Sequence, residues 1–161
     1  MITECTPHNL SNILNVINDA ALKYKGVIPE ECWHEPYMSE QELIDEFGGG
    51  VRMFGYDNDS MLVGVMGIQQ LKDVTLIRHA YTLPNWQGIG IGKSLLQYLF
   101  GINQSARLLV GTWQDATWAI KFYEKNGFFL HGRTQTNQLL KTYWRIPSKQ
   151  MENSVVLEKL I

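Results

Sequence analysis

The segment Pro84-Asn85-Trp86-Gln87-Gly88-Ile89-Gly90-Ile91-Gly92-Lys93-Ser94 joins a run of strand-forming residues, Val74–Leu83, to an apolar stripe at helical spacing, Leu95, Leu96, Leu99 and Ile102. Alternate glycines strip side chains from a strand-to-helix turn, so its backbone N–H groups are free to face outward. Unpaired amides at the positive end of a helix dipole suit an anion, phosphate above all. Lys93 adds a charge beside them. A chain that passes from strand to helix through such a turn is held to an architecture that mixes the two. The competing reading is that the glycines only let helix and sheet pack closely.

The flanking pattern agrees with a mixed α/β fold. Residues 2–5 read as a short strand, and Thr6-Pro7 as the start of an amphipathic helix to about Lys25, with Leu10, Ile13, Leu14, Ile17, Ala20, Ala21 and Tyr24 on one stripe. Gly26 and Pro29 end it. Glu30–Met38 has neither period and reads as a loop; Ser39 with Glu42 is a capping box opening a short helix stopped by Gly48-Gly49-Gly50. Val51–Tyr56 and Met61–Leu71 form a hairpin about the turn at Asp57–Ser60, and Val74–Leu83 follows as a third strand. After the glycine loop come a helix to about Gln104, a strand at Leu108–Gly111, a helix capped by Asp115 and closed by Asn126-Gly127, a strand at Phe128–Arg133, a helical turn within Asn137–Trp144, and a last strand at Val155–Leu160. This order covers both faces of one sheet. No repeat, linker or low-complexity tract divides residues 1–161, so they are expected to form one domain.

Composition enters by exclusion. A net charge of -2 and no run of Lys or Arg give no footprint for nucleic acid or for an anionic membrane surface. Cys5 and Cys32 form no CxxC pair and so neither a disulfide framework nor a zinc site, and no metal is expected. The N-terminus lacks the apolar core of a signal peptide and no apolar stretch is long enough to span a bilayer, so a cytoplasmic location is expected.

Spacing decides which phosphate ligand the loop suits. A P-loop needs its first glycine where Gln87 stands, and the dinucleotide pattern needs glycine at Lys93 or Leu95. What fits is Gln87-x-x-Gly90-x-Gly92. This resembles motif A, (Arg/Gln)-x-x-Gly-x-(Gly/Ala), of the GNAT acyltransferases, and so does its approach through Tyr81-Thr82-Leu83-Pro84-Asn85-Trp86. The stretch Trp118–Phe128, with Phe122-Tyr123 followed by Gly127-Phe128, is similar to motif B of the same family. One position departs: the asparagine that often contacts the pantetheine arm is Ala116 here.

The resemblance implies a central mixed, mostly antiparallel sheet with helices on both faces and a splayed strand pair that admits acetyl-CoA. It implies an acetyl-CoA-dependent N-acetyltransferase acting by direct attack of an amine in a ternary complex; a non-catalytic module that senses acyl-CoA or an amine is the alternative. Cofactor contacts fall on Thr82, Leu83, Gln87, Gly88, Ile89, Gly90, Ile91, Gly92, Lys93 and Ser94. Tyr123 takes the position that often protonates the departing thiolate, with a packing role as its competitor. The helix 115–126 sets Ala116, Ala119, Ile120 and Tyr123 on one face, where two alanines leave room for a ligand.

The attacking amine must be neutral, yet an alkyl ammonium of pKa about 10.4 is neutral only on the order of one part in a thousand at pH 7. His79, Glu35 and His34 are the candidate bases, and a hydrogen-bonded core role competes for His79. Arg78 either binds a substrate carboxylate or pairs with a core acid. The loop holding Trp33, His34, Glu35 and Tyr37 lies where the family builds its acceptor pocket, and Trp113 is a further wall residue. Tyr143–Pro147 reads as a packing loop in preference to a pocket lid. The acceptor is a small-molecule or peptide amine of unspecified identity, and a homodimer is compatible with the family.

Overall fold

The computed structural model describes all 161 residues. Its centre is a seven-stranded sheet in the order β1-β2-β3-β4-β5-β7-β6. The strands are β1 (Ile2–Glu4), β2 (Val51–Asn58), β3 (Met61–Gln70), β4 (Thr75–Thr82), β5 (Arg107–Trp113), β6 (Phe129–Leu130) and β7 (Ser154–Leu160). Every neighbouring pair is antiparallel except β4 and β5, which run parallel. β3 is buried without a break from Val63 to Ile68, so residues of both parities are covered and helices pack on both faces. The helices are α1 (Leu10–Ala21), α2 (Glu40–Gly48), α3 (Ile91–Ile102), α4 (Thr117–Lys125), α5 (Arg133–Tyr143) and α6 (Ser148–Glu152). The main core joins Ile13, Val16 and Ile17 of α1 and Leu95, Leu96 and Leu99 of α3 to the inner strands. No helix is long and apolar enough to cross a membrane.

Two irregularities in the sheet give it an opening and a bend. β4 and β5 pair only at Thr75–Leu108, Leu76–Leu109 and Ile77–Val110, and beyond Ile77 they part. β4 also bulges: Gly67 faces Arg78 and Val65 faces Tyr81, so Met66 alone stands opposite His79 and Ala80. His79 takes φ +52°, a left-handed conformation that an L side chain rarely adopts.

Several local expectations give way to tertiary structure. Asp115 does not cap α4; the helix starts at Thr117 behind Ala116, and a tight turn from Ala116 N to Trp113 O (3.0 Å) takes up that corner. The strand expected at Phe128–Arg133 contracts to Phe129–Leu130, because the chain turns at Gly132 into α5. That helix spans eleven residues where one turn was expected, its short buried stripe of Thr136, Leu139 and Leu140 being too brief and too polar to advertise itself. The five-residue α6 carries no buried stripe at all.

Away from the splay, β7 carries a buried acid. Glu158 is 4% exposed and accepts from Arg107 Nε at 2.6 Å, Arg107 Nη2 at 3.1 Å and His131 Nε2 at 2.8 Å. The bonds from Arg107 hold its carboxyl below the usual 4.5; burial opposes them, and His131 adds to the lowering. A folded-state value below the unfolded one stabilises the fold above about pH 4.5, and that contribution is lost as pH falls through the lowered value. Arg107→Ala is therefore expected to destabilise by about 3 kcal/mol at neutral pH, since it strands a buried carboxylate. Urea titrations from neutral pH to below the lowered value check this: the acid-side decline should be shallower in the variant by the part due to Glu158, and an unchanged slope would refute the assignment.

Candidate active site

Two cavities open where β4 and β5 part. The first, about 540 Å³, is bounded by the loop after α1, by α2, by β4 and β5, and by the link between α5 and α6. The second, about 560 Å³, lies between the glycine loop, α4, the end of α1 and the far half of β4. Tyr24 and Tyr81 line both, so the two meet at those rings.

The second cavity is built for an anion. No hydrogen bond is made by the backbone N–H of any residue from Gly88 to Lys93; Ser94 N is the first in α3 to find one, at Gly90 O (2.9 Å). Gly90 stands at the helix N-cap with φ +94°. Gln87 ties the loop back to the strand by donating from Nε2 to Thr82 O at 2.9 Å. Lys23, Lys93 and Lys125 line the cavity and no acid does. Unpaired amides, a helix dipole and three ammonium groups together suit a multiply charged phosphate ligand. An apolar channel of Ala119, Phe122, Trp118 and Tyr123 continues from this charged end toward the splay.

Tyr123 is buried, with its ring edge-on to Phe122 and Phe128 at 5.1 and 5.4 Å between centroids. Its hydroxyl makes no side-chain hydrogen bond, and burial, reinforced by nearby Tyr24, pushes the phenol up. It therefore stays protonated and ready to donate at any working pH. Ala119 leaves the room beside it, whereas Ala116 is fully buried against Ala21, Tyr24 and Trp113 and contributes none.

The first cavity holds the acid–base groups. Successive strand residues normally face opposite sides, yet Arg78 and His79 both line it, because the bulge turns His79 back toward the Arg78 side. His79 Nε2 is a buried side-chain nitrogen without a hydrogen-bond partner; it lies 3.4 Å from Glu46 Oε1 but off the angle for a bond. Glu46 is held from the other side by Arg78 Nη2 at 3.0 Å, and Gln69 Oε1 accepts from Arg78 Nη1 at 2.9 Å. Burial raises the Glu46 carboxyl, but His79 and then Arg78 outweigh it, and the net shift is downward. Arg78 is thus committed to Glu46 and is not a free binder of a substrate carboxylate. Around them stand Tyr24, Tyr37 and Tyr81, with centroids 5.4 to 6.5 Å apart. Trp113 Nε1 donates to the Tyr37 hydroxyl at 2.8 Å, and burial raises all three phenols.

Comparison with known proteins gives this arrangement a family. The sequence model of the acetyltransferase (GNAT) domain matches residues 49–129, just over half the chain. The chain belongs to the GNAT acetyltransferases. Among solved structures, this acetyltransferase is similar to the PaiA N-acetyltransferase of Thermoplasma acidophilum in complex with coenzyme A, with TM-score 0.77 and 20% identity over 100% of this chain and 98% of that one. It is also similar to a GNAT-family acetyltransferase of Staphylococcus aureus (TM-score 0.75, 14% identity, 99% and 98% covered) and to a ribosomal-protein-alanine N-acetyltransferase of Brucella melitensis (0.69, 17%, 100% and 99%). These likenesses establish the fold. No curated protein sequence matches.

The structure sorts the residues expected to serve this acetyltransferase. Thr82, Gln87, Gly88, Gly90, Ile91, Gly92, Lys93 and Tyr123 line the second cavity. Leu83 does not: its side chain is in the core and its N–H donates to Val63 O at 2.9 Å, extending the sheet. Ile89 projects outward at the loop tip, and Ser94, also outside the cavity, closes the first helical turn. Of the residues expected to meet the acceptor or act as bases, His34, Tyr37, Arg78, His79 and Trp113 line the first cavity. Trp33 lies behind Tyr37, stacked on it at 5.8 Å. Glu35 is exposed, 3.4 Å from Lys25, and lines neither cavity. Glu46 and Tyr24 lie at the site without having been marked by the sequence pattern, and Trp144–Pro147, expected to be a packing loop in preference to a pocket lid, also form a wall of the first cavity. Tyr24 ends the stripe of α1, so its position was legible but not its role.

Proposed function

We propose that this acetyltransferase moves the acetyl group of acetyl-CoA onto a primary amine held in the first cavity, by direct attack with both substrates bound. The observation that carries the reading is the meeting of the two cavities at Tyr24 and Tyr81, in the gap between β4 and β5, with an anion cradle at one end and His79 beside Glu46 at the other. Coenzyme A would lie with its diphosphate on the amides of Gly88 to Lys93 and its thioester in the gap, along the edge of β4 left free beyond Ile77.

The amine nitrogen attacks the acetyl carbonyl carbon. His79 accepts the proton the amine must shed, and Glu46 stabilises the imidazolium so formed. The tetrahedral oxyanion takes a hydrogen bond from the free backbone edge of β4. As it collapses, the new C–N bond remains, the C–S bond breaks, and Tyr123 donates a hydrogen bond to the departing thiolate. Burial raises the phenol and opposes full transfer of its proton, so the thiolate leaves hydrogen-bonded to Tyr123 and takes its proton from solvent. Neither cysteine enters, since Cys5 is buried against β2 and Cys32 lines only the first cavity and not the one that takes the thioester. Two free thiols also accord with a cytoplasmic enzyme, where thiols stay reduced.

Thiol release from acetyl-CoA, followed with an amine panel of amino acids, polyamines, aminoglycosides and peptides, tests this. Release that depends on one amine class, together with formation of the N-acetyl product, supports it. Tight binding of coenzyme A with no release across the panel would mark a sensing module instead.

A further inference from the structure

The first cavity has two charged walls, and only one is committed. On the β4 side, Glu46 is held by Arg78 and lies against His79. Across from it, the link between α5 and α6 supplies Trp144, Arg145, Ile146 and Pro147. Arg52, Arg78, Arg107 and Arg133 each donate to an acceptor in the protein. Arg145 makes no hydrogen bond or ion pair, although it lines a cavity.

Arg145 is exposed, and the backbone that carries it is positioned by its neighbour. The Trp144 indole packs against β5 at Gly111, where an added Cβ would meet ring carbons at 3.3 and 3.4 Å. Glycine at that strand position is what lets the indole come so close. Leu140 and Ile146 pack with Trp144 against β5 and β7. Behind them Ser154 donates to Gln150 O at 2.6 Å, tying α6 to β7. The link is therefore a built wall that presents an apolar strip with one uncommitted guanidinium. A further charge lining the cavity, Glu42, accepts through Oε1 from Ser39 N at 3.3 Å in the cap of α2.

We infer that the acceptor is a small amine that also carries a carboxylate: its nitrogen lies toward His79, its apolar body against Trp144 and the tyrosines, and its carboxylate on Arg145. A guanidinium offers a planar carboxylate two parallel donors. Chemically this class is an amino acid or a short peptide, and a cavity of about 540 Å³ has room for either. The inference rests on the acetyl-transfer reading.

Acceptors matched in side chain but with and without the carboxylate test it, for instance leucine against leucinamide and tyrosine against tyrosinamide, with KM expressed per neutral amine at each pH, spermidine as a cationic amine and Leu-Leu as the peptide arm. The expected result is a KM about tenfold lower for the acid than for its amide. Arg145→Ala should bring that ratio to about one, Arg145→Lys should keep part of it, and Arg145→Glu should reverse it in favour of amides and spermidine. A lower KM for Leu-Leu than for leucine selects the peptide, and the reverse order selects the free amino acid; either supports the inference. An acid-to-amide ratio near one in the wild type, or one unmoved in Arg145→Ala, overturns it while leaving acetyl transfer standing. Absence of thiol release with every amine removes the acetyl-transfer reading, and this inference with it.

Discussion

Gly90→Val is expected to weaken binding of free coenzyme A by a hundredfold or more while the protein still folds. Gly90 holds φ +94° at the N-cap of α3, where a β-branched residue costs about 1–2 kcal/mol of backbone strain. Relief of that strain rotates the peptide units on either side, so the row of unpaired N–H groups from Gly88 to Lys93 ceases to converge. A hydrogen bond from an amide to a charged oxygen contributes roughly 1.5–3 kcal/mol, so losing two of them weakens binding by about a hundredfold or more. Gly92→Ala is the comparison. Gly92 has no left-handed backbone, and its added Cβ meets the Phe122 ring at 3.4 Å, an ordinary contact, so its effect should stay within a few fold. Calorimetry with free coenzyme A reads both. Thermal melts supply a second readout, because the ligand should raise the wild-type midpoint and leave that of Gly90→Val unmoved. Binding by Gly90→Val within threefold of wild type would remove the diphosphate from this loop.

That this loop was legible in the sequence comes from its being local. Gln87, Gly90 and Gly92 act through the conformation of a few consecutive residues, and spacing along the chain is what such a turn requires. The hairpin of β2 and β3, the capping box at Ser39 and the stripe of α3 are local in the same sense. The acceptor cavity is not. Glu46 reads in sequence as one more acid on the polar side of a short helix, and only the packing of α2 near β4 brings it to His79. Strand alternation sends Arg78 and His79 to opposite faces; the bulge that puts them on one face is a register shift against β3, which no pattern within β4 announces. Trp144 and Arg145 come after a helix whose buried stripe is only three residues long, so the wall they form had no period to mark it. Glu35 shows the converse. Its chemistry suits a base and its loop borders the first cavity, but the side chain turns out to Lys25.

His79→Ala is expected to lower kcat/KM by about 10²–10³-fold at neutral pH, in the range a positioned general base contributes. The bulge costs energy: a left-handed non-glycine residue is disfavoured by roughly 1–3 kcal/mol, and here it leaves a buried ring nitrogen without a hydrogen bond. A side chain kept only for packing would gain by losing both. His79→Gly separates the two roles, since glycine adopts φ +52° without strain. Its stability should lie within about 1 kcal/mol of wild type, while its rate falls as far as that of alanine. The pH dependence gives a readout that packing would not move. Without a base, the variant must wait for amine that is already neutral, so its deficit should shrink as pH rises toward the amine's own pKa, about 7.7–8.0 for a peptide α-amino group and about 10.4 for an alkyl amine. For the same reason a weakly basic aromatic amine should be acetylated by wild type and variant at similar rates. Glu46→Gln, which keeps the shape beside Nε2 but not the charge, should lose about tenfold, less than His79→Ala because the base itself remains. A deficit that stays constant with pH, and is as large for a weakly basic amine as for an alkyl one, would return His79 to the core and leave proton removal to water.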